Sequence, residues 1–249
     1  MKLARFRKHG RVRHARLESD HLVDESGRTH DPHGVEFMLP FEPGKVLGLA
    51  LNYRDHAEEL SIDLPDHPVL FLKPPSALIP HGAPVMYPEG ADYMHYECEL
   101  AVVVGHPMKA VRADEAMDYV LGYTIANDVT VRDFVGNMYR PPIKAKGWDS
   151  FGPLGPFLVT AEEIPDPHAL ELRAYVNDDH RQTGHTRDFI FPISEILEYV
   201  TRFMTLEPYD VILTGTPKGI SRVTPDDTMR LEIDGLGALE NPIVAEGDY

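Results

Sequence analysis

One cysteine, Cys98, stands in 249 residues, so no disulfide can form within the chain. That scarcity fits a reducing compartment, and a cytoplasmic location is the expectation. No apolar run approaches the roughly 20 residues of a transmembrane helix, and no apolar signal-peptide core is visible, so neither a membrane span nor export is expected. Cations are also scarce: 24 Lys and Arg stand against 40 Asp and Glu, a formal charge of −16. A chain of that sign repels nucleic acid and anionic membranes, and neither is expected as a partner. Internal repeats and low-complexity segments are missing. Proline, in contrast, is plentiful at 22 residues, above the usual share of about 5%. The 43% of apolar residues suffices for one sizeable core with a small appendage.

The stretch Tyr93 to Gly105 organises the chain. Its second half, Leu100-Ala101-Val102-Val103-Val104 closed by Gly105, reads as a buried strand. Its first half sets Glu97 and Glu99 two positions apart, on one face of that strand, with Cys98 turned the other way. Two adjacent anions at the mouth of an apolar strand need a proton, a cation or a metal. The alternative is a strand end dipping into water. A second strand, Leu121 to Ala126, delivers Asn127-Asp128. Three carboxylates without a Cys/His cluster make an oxygen-only site, suited to Mg²⁺, Mn²⁺ or Ca²⁺ rather than Zn²⁺.

Other segments carry possible chemistry. The strand Val46 to Leu51 runs into Asn52, a good helix N-cap, with Asp55 three later as a partial capping box. On the short helix that follows, His56 and Glu59 share a face. A carboxylate-oriented histidine is a general-base arrangement, and equally a common surface ion pair. Lys73 ends the apolar run Val69 to Leu72, where a strand-end lysine snorkels to water. Arg132, Arg140, Lys144 and Lys146 stand against Asp133 alone, a local excess of cations that suits an acidic small molecule. Thr214-Gly215-Thr216-Pro217-Lys218-Gly219 is a strand-to-turn segment of exposed backbone N–H groups and no Walker A loop. Residues 1 to 14 hold six cations and no acid. With Gly10 as a turn between two short apolar-alternating stretches, they read as a β-hairpin. Further strands are expected at Leu170 to Val176, Phe189 to Phe191 and Leu231 to Leu239, a short helix at Asp114 to Tyr119, and a helix capped by Ser194 with Ile196, Leu197, Val200, Phe203 and Met204 as its core face. Many short strands and few helices predict an α+β, mostly β fold.

Glu97-Cys98-Glu99, Asn127-Asp128, Lys146-Gly147-Trp148-Asp149 and Thr214 to Gly219 stand in the order seen in the fumarylacetoacetate hydrolase superfamily, which the chain resembles from about Val46 onward. Met94 to Glu97, Tyr139-Arg140-Pro141 and Gly219-Ile220-Ser221 resemble its homoprotocatechuate branch, the 2-hydroxyhepta-2,4-diene-1,7-dioate isomerases and related decarboxylases. The resemblance implies a mixed β-sandwich roll over residues 46–249 behind a small β-rich N-terminal domain at 1–45, and a homodimer. It implies Mg²⁺ (or Mn²⁺) on Glu97, Glu99 and Asp128. His56, Glu59 and Lys146 would be catalytic, and Arg54, Lys73, Arg132, Tyr139, Arg140, Gly215 and Thr216 would lie on the substrate side. Hydrolytic members often carry Gln where Val135 stands, which points toward isomerisation or decarboxylation of a 2-oxo or 2-hydroxy-dienoic dicarboxylate. Acylpyruvate or fumarylpyruvate hydrolysis, oxaloacetate decarboxylation, and a non-catalytic metal or 2-oxo-acid binder are the alternatives.

Overall fold

Strand Cys98–Val104 lies deep in a twelve-stranded mixed sheet, and its alternation explains why. Cys98, Leu100, Val102 and Val104 enter one apolar cluster, whereas Ala101 and Val103 enter the other. A strand buried on both faces must be apolar on both, which is what the continuous run provides. The computed structural model describes residues 1–135 and 142–249. Along the sheet the order is Thr29–His30, His21–Asp24, Arg11–Glu18, Lys2–Lys8, Gly152–Thr160, Val120–Asn127, Cys98–Val104, Val211–Leu213, Val46–Ala50 and Val69–Lys73. Most neighbours are antiparallel, but Val211–Leu213 runs parallel to Val46–Ala50. A five-stranded sheet holds Asp179–His185, Glu171–Val176, Thr228–Ile233, Gly237–Ala245 and Val85–Tyr87. Its inward residues Leu172, Ala174, Leu231, Ile233 and Leu239 share one core with Leu100, Val102 and Val104, so the two sheets form a sandwich. A three-stranded sheet, Thr130–Val131, Met94–His95 and Arg222–Val223, stands beside the strand ends that carry the acids.

The N-terminal hairpin forms as expected, turning at His9 and Gly10. Its strand Lys2–Lys8 also pairs with Gly152–Thr160, joining the first residues to the main sheet. Ala4, Phe6, Ala15, Leu22 and Phe37 make a small core of their own.

Several local expectations are corrected. Helix Arg54–Glu59 begins after Tyr53 with no side-chain cap. Asn52 is otherwise engaged: its amide N–H donates to the Thr214 carbonyl (2.8 Å), and its oxygen accepts the Phe191 N–H (2.9 Å). Helix Ile193–Phe203 starts after Pro192 instead of being capped by Ser194, since proline's fixed φ already suits a helix start. Phe203 is exposed beyond the reach of the core that takes Ile196, Leu197 and Val200. Residues Phe189 to Phe191 make no strand; Phe189 forms a single bridge to Tyr53, and Pro192 ends the run without an N–H. The helix at 114–119 is a 3₁₀ turn, Ala116–Tyr119. Leu231 to Leu239 is a hairpin, Thr228–Ile233 with Gly237–Ala245, bent at Gly235 (φ +75°).

Candidate active site

Strand register brings the acids together. Cys98 lies opposite Asn127 and Glu99 opposite Ala126. One step further out Glu97 faces Asp128, whose N–H donates to the Glu97 carbonyl at 3.0 Å. Glu97 sits just before the strand, between Met94–His95 and Cys98–Val104, so the expected strand periodicity ends at Glu99. One oxygen from each of Glu97, Glu99 and Asp128 nevertheless lies within 4.8 Å of the others, and all three residues are buried.

Two buried lysines enter this cluster. Lys146, at the end of helix Ile143–Lys146, donates to Glu97 Oε2 (2.9 Å), Asp128 Oδ2 (2.5 Å) and Thr130 Oγ1 (2.7 Å). Its three N–H bonds are thereby used. Lys73 turns inward: its ammonium donates to Asp128 Oδ1 and to the Lys146 carbonyl (2.6 Å). Burial opposes the charge on Glu97, but Lys146, with His95 and His56 behind it, outweighs burial and holds the carboxyl well below its usual range. Burial, reinforced by Asp128 and Glu97, pushes Glu99 well above the usual range. Burial opposes the charge of Lys146 too; Asp128 and Glu97 prevail and hold the ammonium above its ordinary value. For Lys73 burial prevails over Asp128, and its value falls.

Two lysines against three acids leave one acid without an ammonium partner among the described residues. That acid is Glu99, whose Oε2 accepts the Gly215 N–H (2.8 Å) while Oε1 is buried without a partner among the described residues. A buried unpaired carboxylate oxygen among hard oxygen donors fits a divalent cation of the Mg²⁺ or Mn²⁺ type.

Helix Arg54–Glu59 carries the histidine pair. His56 Nδ1 lies 2.9 Å from Glu59 Oε2. With Glu59 ionised, Nδ1 carries the proton and Nε2 keeps its lone pair. Glu59 Oε1 accepts the Gly219 N–H (3.0 Å), fastening the helix to the 214–219 turn. His56 is buried.

The remaining expected contacts are spread more widely. Arg54 is exposed on the same helix. Arg132 approaches Glu97 Oε1 to 3.9 Å with Nη2. Gly215 has φ +90°, and a Cβ there would lie 2.8 Å from Asn52 Cβ, so glycine is needed for the turn to pass. The Thr216 hydroxyl is buried, donating to the Cys98 carbonyl (3.1 Å) and accepting from Gln182 Nε2 (2.9 Å). Tyr139 and Arg140 lie outside the described residues. Two neighbours went unread in the sequence. Thr130 Oγ1 stands 3.2 Å from Glu97 Oε1 and 2.9 Å from the Asp128 carbonyl. His95, fully buried, has Nδ1 3.6 Å from Glu97 Oε1; burial pushes its value down to about 4 against the pull of Glu97, so the ring stays neutral near pH 7. Both stand at alternate positions beside the acids (His95 with Glu97, Thr130 with Asp128), the one signal that could have found them.

The fumarylacetoacetate (FAA) hydrolase C-terminal family matches residues 45–244. The chain belongs to that family. A bifunctional isomerase/decarboxylase of 4-hydroxyphenylacetate degradation from Salmonella dublin is 47% identical over 203 residues, 82% of this chain and 47% of the relative. The chain thus spans about half the length of that curated relative. The structure of 2-hydroxyhepta-2,4-diene-1,7-dioate isomerase from Mycobacterium marinum superposes with a TM-score of 0.88 at 35% identity, covering 99% of both chains. Maleylpyruvate hydrolase from Sphingobium, solved with manganese(II) and pyruvate, superposes at 0.84 with 28% identity, over 98% of this chain and 99% of that one. The sandwich seen here is the fold these family members share.

Proposed function

We propose that this chain is a divalent-metal-dependent isomerase/decarboxylase for a 2-oxo or 2-hydroxy-dienoic dicarboxylate in aromatic-compound catabolism. The observation that carries this reading is the acid cluster with Glu99 Oε1 unpartnered among the described residues. Glu97, Glu99 and Asp128 would hold Mg²⁺ or Mn²⁺, which when bound supplies Lewis-acid stabilisation of charge developing on a 2-oxo acid. His56 Nε2 takes a proton from the carbon beside the 2-oxo group and delivers it two carbons further along the dienol, which moves the double bond; after decarboxylation the same nitrogen returns a proton to the conjugated system left by CO₂. Glu59 fixes the tautomer and stabilises the imidazolium. Lys146, with its N–H groups spent on protein oxygens, acts as a fixed positive charge beneath the site, and Lys73 holds Asp128 in place. Arg132, with Arg54, Tyr139 and Arg140, would attract and orient the distal carboxylate. The Thr214–Gly219 turn shapes the pocket floor through Gly215 and Thr216. Residues 46–249 carry the chemistry and residues 1–45 form a small N-terminal unit. A cytoplasmic homodimer belongs to the same proposal, the dimer being testable by light scattering.

A turnover panel with Mg²⁺ or Mn²⁺ tests it. The enzyme should act on 2-hydroxyhepta-2,4-diene-1,7-dioate with a higher kcat/KM than on an acylpyruvate, because Val135 offers no polar group to hold an attacking water. A higher kcat/KM for acylpyruvate cleavage would make the chain a C–C hydrolase. No turnover of any 2-oxo acid, with metal bound, would make it a binding protein.

A further inference from the structure

Tyr96 sits between His95 and the acid Glu97 and is completely buried, yet it does not face the acids. Its hydroxyl donates to the carbonyl of Gly219 (2.7 Å). A phenol has one proton, so the hydroxyl of Ser221, 2.9 Å away, is the donor to the Tyr96 oxygen. The N–H of the same glycine donates to Glu59 Oε1, and Glu59 Oε2 meets His56 Nδ1. Two hydrogen-bonded pairs, Ser221 with Tyr96 and Glu59 with His56, are therefore joined through the backbone of Gly219, held at its carbonyl by the first and at its N–H by the second. That glycine links the residue preceding a metal-type acid to the proton-moving pair on a separate helix.

Gly219 is well suited to be held at both ends. Its φ is +105°, and a Cβ would lie 2.8 Å from the Arg181 carbonyl and 3.1 Å from Gln182 Cα. The residue is pressed against strand Asp179–His185 in a conformation that L side chains avoid. Without a partner for its carbonyl, this segment could tilt, and the N–H that aims Glu59 would tilt with it.

We propose that Tyr96 is a positioning residue for the His56–Glu59 pair: its hydroxyl fixes the Gly219 segment so that the Gly219 N–H holds Glu59, and Glu59 holds the imidazole. This role rests on His56 being the base. Substrate and metal contacts are left untouched, so the signature is a fall in kcat without a matching change in KM or metal affinity.

Tyr96→Phe keeps the ring and removes only the hydroxyl. Its kcat on 2-hydroxyhepta-2,4-diene-1,7-dioate, or on the best substrate of the panel, should fall about tenfold, since sub-ångström misplacement of a catalytic group is costly. KM and Mg²⁺ affinity by calorimetry should stay near wild type. In a Glu59→Ala background the same substitution should cost less than about twofold, because the residue it positions is gone. Ser221→Ala should show the same pattern at smaller amplitude, and it serves as the test if Tyr96→Phe does not fold. An equal loss of kcat with and without Glu59, or wild-type turnover in Tyr96→Phe beside an impaired His56→Ala, would overturn the inference alone. Full turnover in His56→Ala would overturn the base assignment itself.

Discussion

Glu99→Gln isolates the one acid that neither lysine reaches. The amide keeps an oxygen for the Gly215 N–H and removes the negative charge. In metal-free protein the wild-type carboxyl titrates above the ordinary 4.5, because burial, Asp128 and Glu97 all resist its ionisation. The folded chain therefore holds a proton that the unfolded chain has released. Its contribution to stability is complete below pH 4.5 and declines as pH rises toward the folded value, by about 1.4 kcal/mol per pH unit across that window. Glutamine has no such dependence. For a chain of this size 1 kcal/mol shifts Tm by about 2–4 °C. Scanning calorimetry in chelator between pH 5 and 8 should show the wild-type Tm falling relative to Glu99→Gln by about 3–5 °C per pH unit until the carboxyl ionises. His95 and Glu97 remain in both proteins, so the difference between the two curves reports Glu99. Metal reverses the comparison. Added Mn²⁺ or Mg²⁺ should raise the wild-type Tm most at high pH, where binding no longer competes with the proton. Glu99→Gln should bind at least about 100-fold more weakly, beyond the 10–100-fold typical of partners outside the ligand set. Parallel Tm curves would refute the buried, proton-taking Glu99. Undiminished metal affinity by calorimetry would refute the assignment of the three acids.

Two further perturbations separate proton transfer from scaffolding. His56→Ala should lower kcat by about 10²–10⁴-fold with metal binding intact, the usual loss for a missing base, and Glu59→Gln should cost less because the imidazole remains; steady-state kinetics beside metal titration checks both. Lys73→Met leaves Asp128 Oδ1 without its ammonium inside the core and should cost about 3–5 kcal/mol of stability by denaturant unfolding, an outcome that a surface-snorkelling lysine would not produce.

Short-range spacing made the pairs legible, two positions in Glu97-Cys98-Glu99 and three in His56 to Glu59, with a strand end at Asp128; the role of Lys146 came into view through the family resemblance alone. Strand signals were equally readable where apolar residues alternate or run on, as in Val46–Ala50 and Cys98–Val104. What escaped was long-range. Asn52 reads locally as a helix cap, yet its partners Phe191 and Thr214 lie 139 and 162 positions away. The inward turn of Lys73 depends on helix Ile143–Lys146, whose last carbonyl takes one of its N–H bonds. Thr216 is a well-placed hydroxyl in the sequence, but Gln182 and the Cys98 carbonyl claim it from another strand and another sheet. Local propensity sees none of these competitors.

The distribution of cations explains why a chain with a formal charge of −16 can gather three of its acids in its core. Lys146 spans Glu97 and Asp128, and Lys73 takes the other oxygen of Asp128. Both lysines thus compensate Glu97 and Asp128 and leave Glu99, as fully buried as Asp128, with a single backbone N–H among the described residues. Had either lysine reached Glu99, the cluster would be closer to self-neutralised, and a divalent cation would have to displace an ammonium to enter. As built, the ammonium groups lower the desolvation cost of two carboxylates and leave one oxygen, Glu99 Oε1, without a partner among the described residues. That oxygen belongs to the residue whose other oxygen is pinned by Gly215, at a φ only glycine adopts readily, on the same turn whose last glycine holds Glu59. One turn therefore sets the geometry of both halves of the site: the acid that most needs a cation and the carboxylate that aims the histidine.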